Sequence, residues 1–313
     1  MNISTPELLE ALNNVTAIPI IPFRQGRIDY DAHAMNVDYL MRSNSLEGDR
    51  PRVISVAGTS LIHHIEPEEQ TRLFDVTGQV MGRQGVLMSA LVPNPIGAAG
   101  KLVEAQARLA RPPDVYLVMP LSGTFSPEGV YDTFMEFGRR YGEEYGARFI
   151  YYHRQARDLE AVIRLLNDSP HFIGVKIGTS EADVKPMIEG VGERAMVIWG
   201  IGDRSTTAAE QGAKGHTSGI AVLYAKASDA INNAQRRGDY EAARRVEADI
   251  DALEEIRFMN GRAYNYSAVV EAMQQSGFDD IDPGDGHGPF NPPVPPEVAA
   301  QVKQAIQGLE KYH

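Results

Sequence analysis

One lysine stands where a charged side chain is least at ease. Phe172-Ile173-Gly174-Val175-Lys176 reads as a short apolar strand that ends in an amine. The chain holds seven lysines against 23 arginines, and the other six (Lys101, Lys185, Lys214, Lys226, Lys303, Lys311) fall in polar or helix-like stretches. At the carboxyl end of a buried strand an ammonium loses its water, which favours the neutral amine and lowers its pKa. A neutral amine attacks a ketone and forms a Schiff base. The structural alternative is a strand-end lysine that snorkels to solvent or pairs with a carboxylate.

Other polar sets could serve such an amine. Gly58-Thr59-Ser60 offers two hydroxyls and several backbone N–H groups just before a helix, an arrangement that binds a carboxylate or phosphate. The same residues also suit an ordinary turn with a capping hydroxyl. Tyr151-Tyr152-His153-Arg154 ends a further apolar run. Adjacent strand residues face opposite ways, so only one tyrosine points inward; if Ile150 and Tyr152 do, Phe149 and Tyr151 meet the helices. A tyrosine beside a Schiff-base lysine can relay protons, although two core tyrosines are the plainer reading. His63, His64, His153 and His216 make a poor metal set, because adjacent His63 and His64 diverge and the pairing of His63 with Glu66 is weak. No metal is expected. Trp199-Gly200-Ile201-Gly202-Asp203 reads as a strand end with a turn, and Arg257 to Tyr264 as the link between two helices.

These residues need elements to position them. Apolar runs of strand length (Val15–Ile21, Val53–Val56, Val86–Val92, Val115–Met119, Arg148–Tyr152, Phe172–Lys176, Met196–Trp199, Gly215–Ile220) alternate with helical patterns (Asp31–Met41, Pro67–Met81, Ile96–Leu109, Pro127–Tyr145, Asp158–Leu166, Glu181–Val191, Ser205–Gln211). Ser126-Pro127-Glu128 carries a capping serine, a proline at the first helical position and an early acid. Glu66-Pro67-Glu68-Glu69 places acids against the positive end of a helix dipole. Eight strands alternating with helices predict an α/β fold, a (β/α)8 TIM barrel whose active site lies at the carboxyl ends of the strands. A doubly wound open sheet would usually show fewer strands and a Gly-rich first turn, but Pro22-Phe23-Arg24-Gln25-Gly26 follows the first run. From about Tyr224 the chain reads as a C-terminal helical extension with helices over Ala225–Gln235, Tyr240–Phe258, Tyr264–Gln275 and Pro296–Leu309, and a Pro/Gly/Asp-rich loop over Asp279–Pro296. The expected division is a barrel over 1–224 and an extension over 225–313.

Bulk properties narrow the function. At 313 residues the chain exceeds the roughly 250 that a barrel of this kind needs. A net charge of −12 disfavours nucleic acid and anionic membrane surfaces as partners. The absence of cysteine removes disulfides, thiolate nucleophiles and Cys-ligated metals. The first ten residues lack a basic segment followed by an apolar run, so no signal peptide is expected, and no apolar stretch of about 18 residues exists. The expectation is a cytoplasmic protein.

Taken together, the strand ends resemble the dihydrodipicolinate synthase / N-acetylneuraminate lyase family over nearly the whole chain. Ile18-Pro19-Ile20-Ile21-Pro22-Phe23 resembles the family's opening strand, and Gly58-Thr59-Ser60…Glu68-Glu69 its GTTGE…TxEE segment, whose paired hydroxyls hold the substrate carboxylate. Tyr152 (or Tyr151) resembles the tyrosine of the YN motif, and Gly174-Val175-Lys176 the GIK that carries the Schiff-base lysine. Gly212-Ala213-Lys214-Gly215…Ser218 resembles GAxGxIS, and Pro292-Pro293 a proline pair near the family's C-terminus. The resemblance implies a (β/α)8 barrel with a helical extension, a homotetramer, and no metal or organic cofactor. It implies Lys176 and Tyr152 as catalytic residues, and Gly58, Thr59, Ser60 and Ser218 among the substrate contacts.

Departures bear on the substrate. Leu61-Ile62 stand where the synthases have Gly-Glu, Pro120-Leu121-Ser122 replaces PYY with its tyrosine donated across a dimer contact, and Tyr152-His153-Arg154-Gln155 replaces YNVPxR. Tyr-His-Arg is similar to the YNR of the 5-dehydro-4-deoxyglucarate dehydratase branch, and Arg262-Ala263-Tyr264-Asn265-Tyr266-Ser267-Ala268 faintly resembles that branch's RKGYAVS. The expected function is a Schiff-base lyase acting on a small-molecule 2-oxo acid, by aldol cleavage, condensation or dehydration. His153 and Arg154 are the candidates for its distal end, since arginine suits a second carboxylate. The alternatives are dihydrodipicolinate synthase activity itself, a non-catalytic binding or regulatory protein on the same barrel, and a metal-dependent aldolase.

Overall fold

A computed structural model of the chain describes residues 3–313, apart from the Thr59 side chain. Eight parallel strands close into a barrel in sequence order, the eighth beside the first. They span Val15–Ala17, Val53–Val56, Val86–Leu91, Val115–Val118, Phe149–His153, Phe172–Ile177, Met196–Trp199 and His216–Ser218. Seven of the connections between them are helical or contain a helix in the expected places, with Pro67–Met81 and Pro127–Tyr145 at the expected bounds. The Ser126 hydroxyl accepts the Gly129 N–H at 3.1 Å, and the Glu69 carboxylate accepts the Glu66 N–H at 3.0 Å. Each such cap is worth about 1 kcal/mol.

The alternation of strand side chains sorts the apolar residues into two layers. On the fifth and seventh strands Ile150, Tyr152, Met196 and Ile198 belong to one apolar cluster. Phe149, Tyr151, Val175, Ile177 and Trp199 belong to an outer one, packed on helix residues such as Phe134 and Phe137. In the ladder Tyr152 stands beside Lys176, and Lys176 beside Ile198. All three therefore face the barrel interior.

Two strands are shorter than their apolar runs suggest. The first ends at Ala17. Ile18 still donates its N–H to the Ser218 carbonyl at 2.8 Å, but Pro19 and Pro22 have no N–H to extend the ladder. The eighth begins at His216 because Gly215 turns at φ +77°. A Cβ there would lie 2.5–2.8 Å from backbone atoms of Leu12 and Asn14. A helix over Thr5–Leu12 and a small hairpin pairing Phe23–Arg24 with Arg27–Ile28 have no counterpart in the sequence expectation.

The extension contains helices over Ala221–Arg236, Tyr240–Arg262, Ser267–Ser276 and Pro296–Ala305. Ile231, Ile250, Val269 and Val302 join the apolar cluster that also holds Ile54 and Leu87 of the barrel, so barrel and extension share a core. The first of these helices departs from helical angles at Tyr224, the expected domain boundary. The second breaks at Met259, Asn260 and Gly261, the last two in left-handed conformation, and Arg262 follows at φ +74°. Among the described residues no helix is long and apolar enough to cross a membrane.

Candidate active site

Lys176 ends the sixth strand's inner face with only 3 % of its surface exposed. Its Nζ lies 4.2 Å from the centre of the Tyr152 ring. Two glycines clear the space for this pair. A Cβ on Gly200, one residue beyond the seventh strand, would stand 2.7 Å from both Cγ and Cε of Lys176. A Cβ on Gly178, just past the sixth strand, would overlap the Tyr152 ring and lie 2.7 Å from Cδ of Arg154.

Burial is the largest influence on the lysine and lowers its pKa; Arg154 and Arg262 lower it further, and Tyr152 opposes them. Burial alone raises the Tyr152 pKa, but Lys176, Arg154 and Arg262 together outweigh it and bring the phenol below its ordinary value. The pair thus combines an amine biased toward its neutral form with a phenol biased toward giving up its proton. That is a nucleophile beside an acid–base group.

The strand ends open into a small cavity. Tyr152, Lys176, Gly58 and Thr217 line it from the barrel; Arg257, Phe258, Arg262 and Asn265 line it from the extension. Arg257 is buried and neutralised locally. It pairs with Glu254 and donates to the Asn265 carbonyl oxygen at 2.9 Å. Burial raises the Glu254 pKa, and the Arg257 charge works against that rise. Arg154 reaches over the other side, its Nη1 donating to the Tyr152 hydroxyl at 3.4 Å.

The residues singled out from sequence divide into two groups. Lys176, Tyr152 and Gly58 line this cavity, and Arg154, exposed, touches it through the Tyr152 hydroxyl. Tyr151 packs edge-on against Phe134 in the helix layer, so Tyr152 is the tyrosine that faces the lysine. Ser60 is buried and its hydroxyl is engaged, donating to the Pro19 carbonyl at 2.7 Å and accepting the Ala57 N–H at 3.1 Å. The Thr59 side chain lies outside the described residues.

His153 and Ser218 need correction as substrate contacts. His153 follows inward-facing Tyr152, so the pleat turns it to the outer face. It is fully buried there, 3.6 Å from the Asp183 carboxylate, and burial lowers its pKa. Ser218 likewise follows Thr217, which faces the cavity. The Ser218 hydroxyl donates to Asp203 at 2.7 Å, accepts the Ala221 N–H at 2.9 Å and meets the Ser228 hydroxyl at 2.9 Å. It ties the eighth strand to the following helix. Among the described residues no group of three or more His, Cys, Asp or Glu side chains could hold a metal ion.

Sequence reasoning did not assign Arg262, Asn265, Thr217, Gly178 or Gly200 to the site. For Gly178 and Gly200 a signal was available, since each closely follows a barrel strand. Thr217 was legible from the same alternation that separates the two tyrosines. Arg262 had no such signal, because its place depends on where a tail helix breaks.

A (β/α)8 barrel with a buried lysine and tyrosine side by side at its strand ends defines the architecture of a class I, Schiff-base lyase. The dihydrodipicolinate synthetase family model matches residues 11–305. The chain belongs to that family, and it is a lyase. The 4-hydroxy-tetrahydrodipicolinate synthase of Pseudomonas aeruginosa is 28% identical over 247 residues, covering 77% of this chain and 81% of that protein. Among solved structures, dihydrodipicolinate synthase from Bacillus clausii superposes with a TM-score of 0.83 at 21% identity, covering 96% of this chain and 98% of that one. The chloride-inhibited enzyme from Acinetobacter baumannii, complexed with pyruvate, gives a TM-score of 0.81 at 20% identity, covering 95% and 98%.

Proposed function

We propose that this lyase forms a Schiff base between Lys176 and a 2-oxo acid derived from a sugar acid, and then dehydrates it or cleaves it by a retro-aldol step. The observation that carries the reading is the buried Lys176 amine, 4.2 Å from the centre of the Tyr152 ring. The carboxylate of the 2-oxo acid would sit at the turn over Gly58–Ser60, where Gly58 lines the cavity and short backbone turns present N–H groups to anions. The Nζ nitrogen bonds to C2. The ketone oxygen leaves as water, with one proton from the amine and one from the Tyr152 phenol, leaving an iminium and a phenolate. The phenolate then takes the C3 proton, giving an enamine from which a C4 hydroxyl departs as water as the phenol returns its proton. In the retro-aldol alternative the phenolate instead takes the C4 hydroxyl proton as the C3–C4 bond breaks. Either route uses the iminium as electron sink.

The choice of a sugar-acid substrate over aspartate semialdehyde rests on three departures: Leu61-Ile62, Pro120-Leu121-Ser122 and Tyr152-His153-Arg154. Assembly as a homotetramer is part of the same proposal, supported by family membership alone and tested by light scattering against the 34.4 kDa chain mass.

Borohydride trapping with pyruvate and a panel of 2-oxo sugar acids, followed by peptide mass mapping, tests the mechanism. The expected result is a reduced adduct on Lys176 that disappears in Lys176→Ala. The absence of any adduct in the folded protein would overturn the proposal and leave a binding or regulatory role for the barrel.

A further inference from the structure

Two features of the sequence have no part in the chemistry proposed above: Leu61, which stands where the synthases have glycine, and the Pro/Gly/Asp-rich loop toward the end of the chain. In the fold they meet. Leu61 closes the Gly58–Ser60 turn in left-handed conformation, at φ 57° and ψ 30°. A leucine is out of place there, because its Cβ crowds the following carbonyl oxygen, and a glycine would adopt the same angles freely. The side chain is nevertheless buried, with 8 % of its surface exposed. Burial of an apolar group of that size offsets a backbone cost of this kind.

The loop supplies what the leucine packs against. A Cβ on Gly288 would lie 2.6 Å from Leu61 Cδ1 and 3.1 Å from the Tyr266 ring, so loop backbone, leucine and tyrosine meet at one point. The Tyr266 hydroxyl donates to the Ile21 carbonyl at 2.9 Å, and the Ser60 hydroxyl holds the Pro19 carbonyl two residues earlier. The loop is fastened close by. Asp285 donates its N–H to the Phe23 carbonyl at 2.8 Å and accepts the Gln25 N–H at 2.6 Å. Asn36 exchanges two hydrogen bonds of 2.8 Å with the Asp282 backbone. Among the described residues Gly58, at the other end of the turn, lines the cavity, and Leu61, Tyr266 and Gly288 do not.

We propose that Leu61 is a positioning residue for the carboxylate end of the substrate, pinned by Tyr266 and the 282–291 loop so that the Gly58–Ser60 turn keeps one shape at the cavity. The proposal rests on the Schiff-base reading, in which that turn receives the carboxylate next to the ketone. Ser60 and Leu61 spend their N–H groups inside the turn, on the Ala57 and Gly58 carbonyls at 2.6 Å and 3.2 Å. The way the turn closes at Leu61 therefore sets where its other backbone groups point. A turn already held in shape loses little conformational entropy when the anion arrives, and that loss would otherwise weaken binding.

Borohydride trapping on Lys176 by pyruvate and by hydroxyacetone tests this. Pyruvate carries the carboxylate, whereas hydroxyacetone offers a ketone without it. The readout is the ratio of their second-order trapping rates. In Leu61→Gly the ratio is expected to fall about tenfold, the size of one weakened hydrogen bond to a charged group. The fall should come through a higher half-saturating concentration of pyruvate, with its rate at saturation kept and hydroxyacetone unchanged within about twofold. Gly288→Ala presses a methyl group on Leu61 from outside the cavity and is expected to lower the ratio as well, which decides the matter if Leu61→Gly fails to fold. Rates that fall by one factor for both ketones, or a ratio that stays unchanged in the folded variants, overturn the proposal. If the wild type traps neither ketone, the Schiff-base reading fails by itself, and calorimetry with pyruvate decides the positioning role. Binding about tenfold weaker in Leu61→Gly upholds it; equal binding, or none in the wild type, overturns it.

Discussion

The barrel and the helical extension both reach the cavity, but they place side chains there by different physics. Lys176 and Tyr152 are neighbours in a hydrogen-bonded ladder, so a period of two residues decides which side chains face inward. Around them the fit is steric, with Gly178 and Gly200 leaving room for ring and stem. Arg262 comes from the extension, where no ladder exists, and is aimed by a helix break. On the proposed reading the barrel carries the covalent chemistry, and the extension sets the charge of Arg262 beside it. Each half should accordingly be breakable without the other.

The largest separable effect is expected at Tyr152. Replacement by Phe keeps the ring that packs beside Lys176 and removes the proton relay, so turnover should fall roughly 10²–10⁴-fold with little change in Tm. Its pH behaviour distinguishes the two halves. The amine must be neutral to attack, so trapping should rise with pH through the folded-state pKa of Lys176, which burial sets below the ordinary 10.5. Tyr152 raises that pKa, whereas Arg262 lowers it. Tyr152→Phe should therefore move the acid limb of the trapping profile to lower pH, and Arg262→Gln should move it to higher pH. Limbs that shift in the same direction would contradict the electrostatic account. Stability follows the same sign. Between the depressed folded-state pKa and 10.5 the unfolded chain binds the proton that the folded chain does not, so Lys176 lowers stability at neutral pH and the deficit shrinks as pH rises.

A smaller effect is expected at Gly200. Its Cβ in Gly200→Ala would stand 2.7 Å from two carbons of the lysine stem and overlap the Ile177 carbonyl. The overlap should cost about 1–3 kcal/mol of stability and displace the amine, lowering trapping of pyruvate roughly 10²-fold for a misplacement near 1 Å. Trapping that held in Gly200→Ala would mean that the lysine stem can shift without losing its reach.

The barrel was legible because its signals are local and repeated. Alternating apolar runs, the Ser126-Pro127 start and the Glu66-Pro67 start each speak for an element by themselves. Lys176 was legible as an amine at the end of an apolar strand. The errors at His153 and Ser218 came from reading motifs by adjacency in sequence, although each adjoins a residue that faces the other way. The alternation that separates Tyr151 from Tyr152 also sends His153 outward, and it exchanges Ser218 for Thr217. Arg262 was not legible in that sense. The residues Met259-Asn260-Gly261 could continue a helix or break it, and packing of the extension on the barrel decides which.

The mildest test addresses that break. Gly261 sits at φ +69°, and a methyl group added there would have no atom within 4 Å, so Gly261→Ala meets only backbone strain. If the left-handed run persists, the strain should lower stability by roughly 1–2 kcal/mol and leave the pH profile of trapping unchanged. If the segment instead winds into continuous helix, Arg262 turns away from Tyr152. The acid limb of the trapping profile then moves to higher pH, as in Arg262→Gln, while the extent of pyruvate trapping on Lys176 holds. A thermal melt alongside the trapping profile separates these results. A fall in the extent of pyruvate trapping would show that the extension helps to place the lysine, and the division of labour between the two regions would have to be given up.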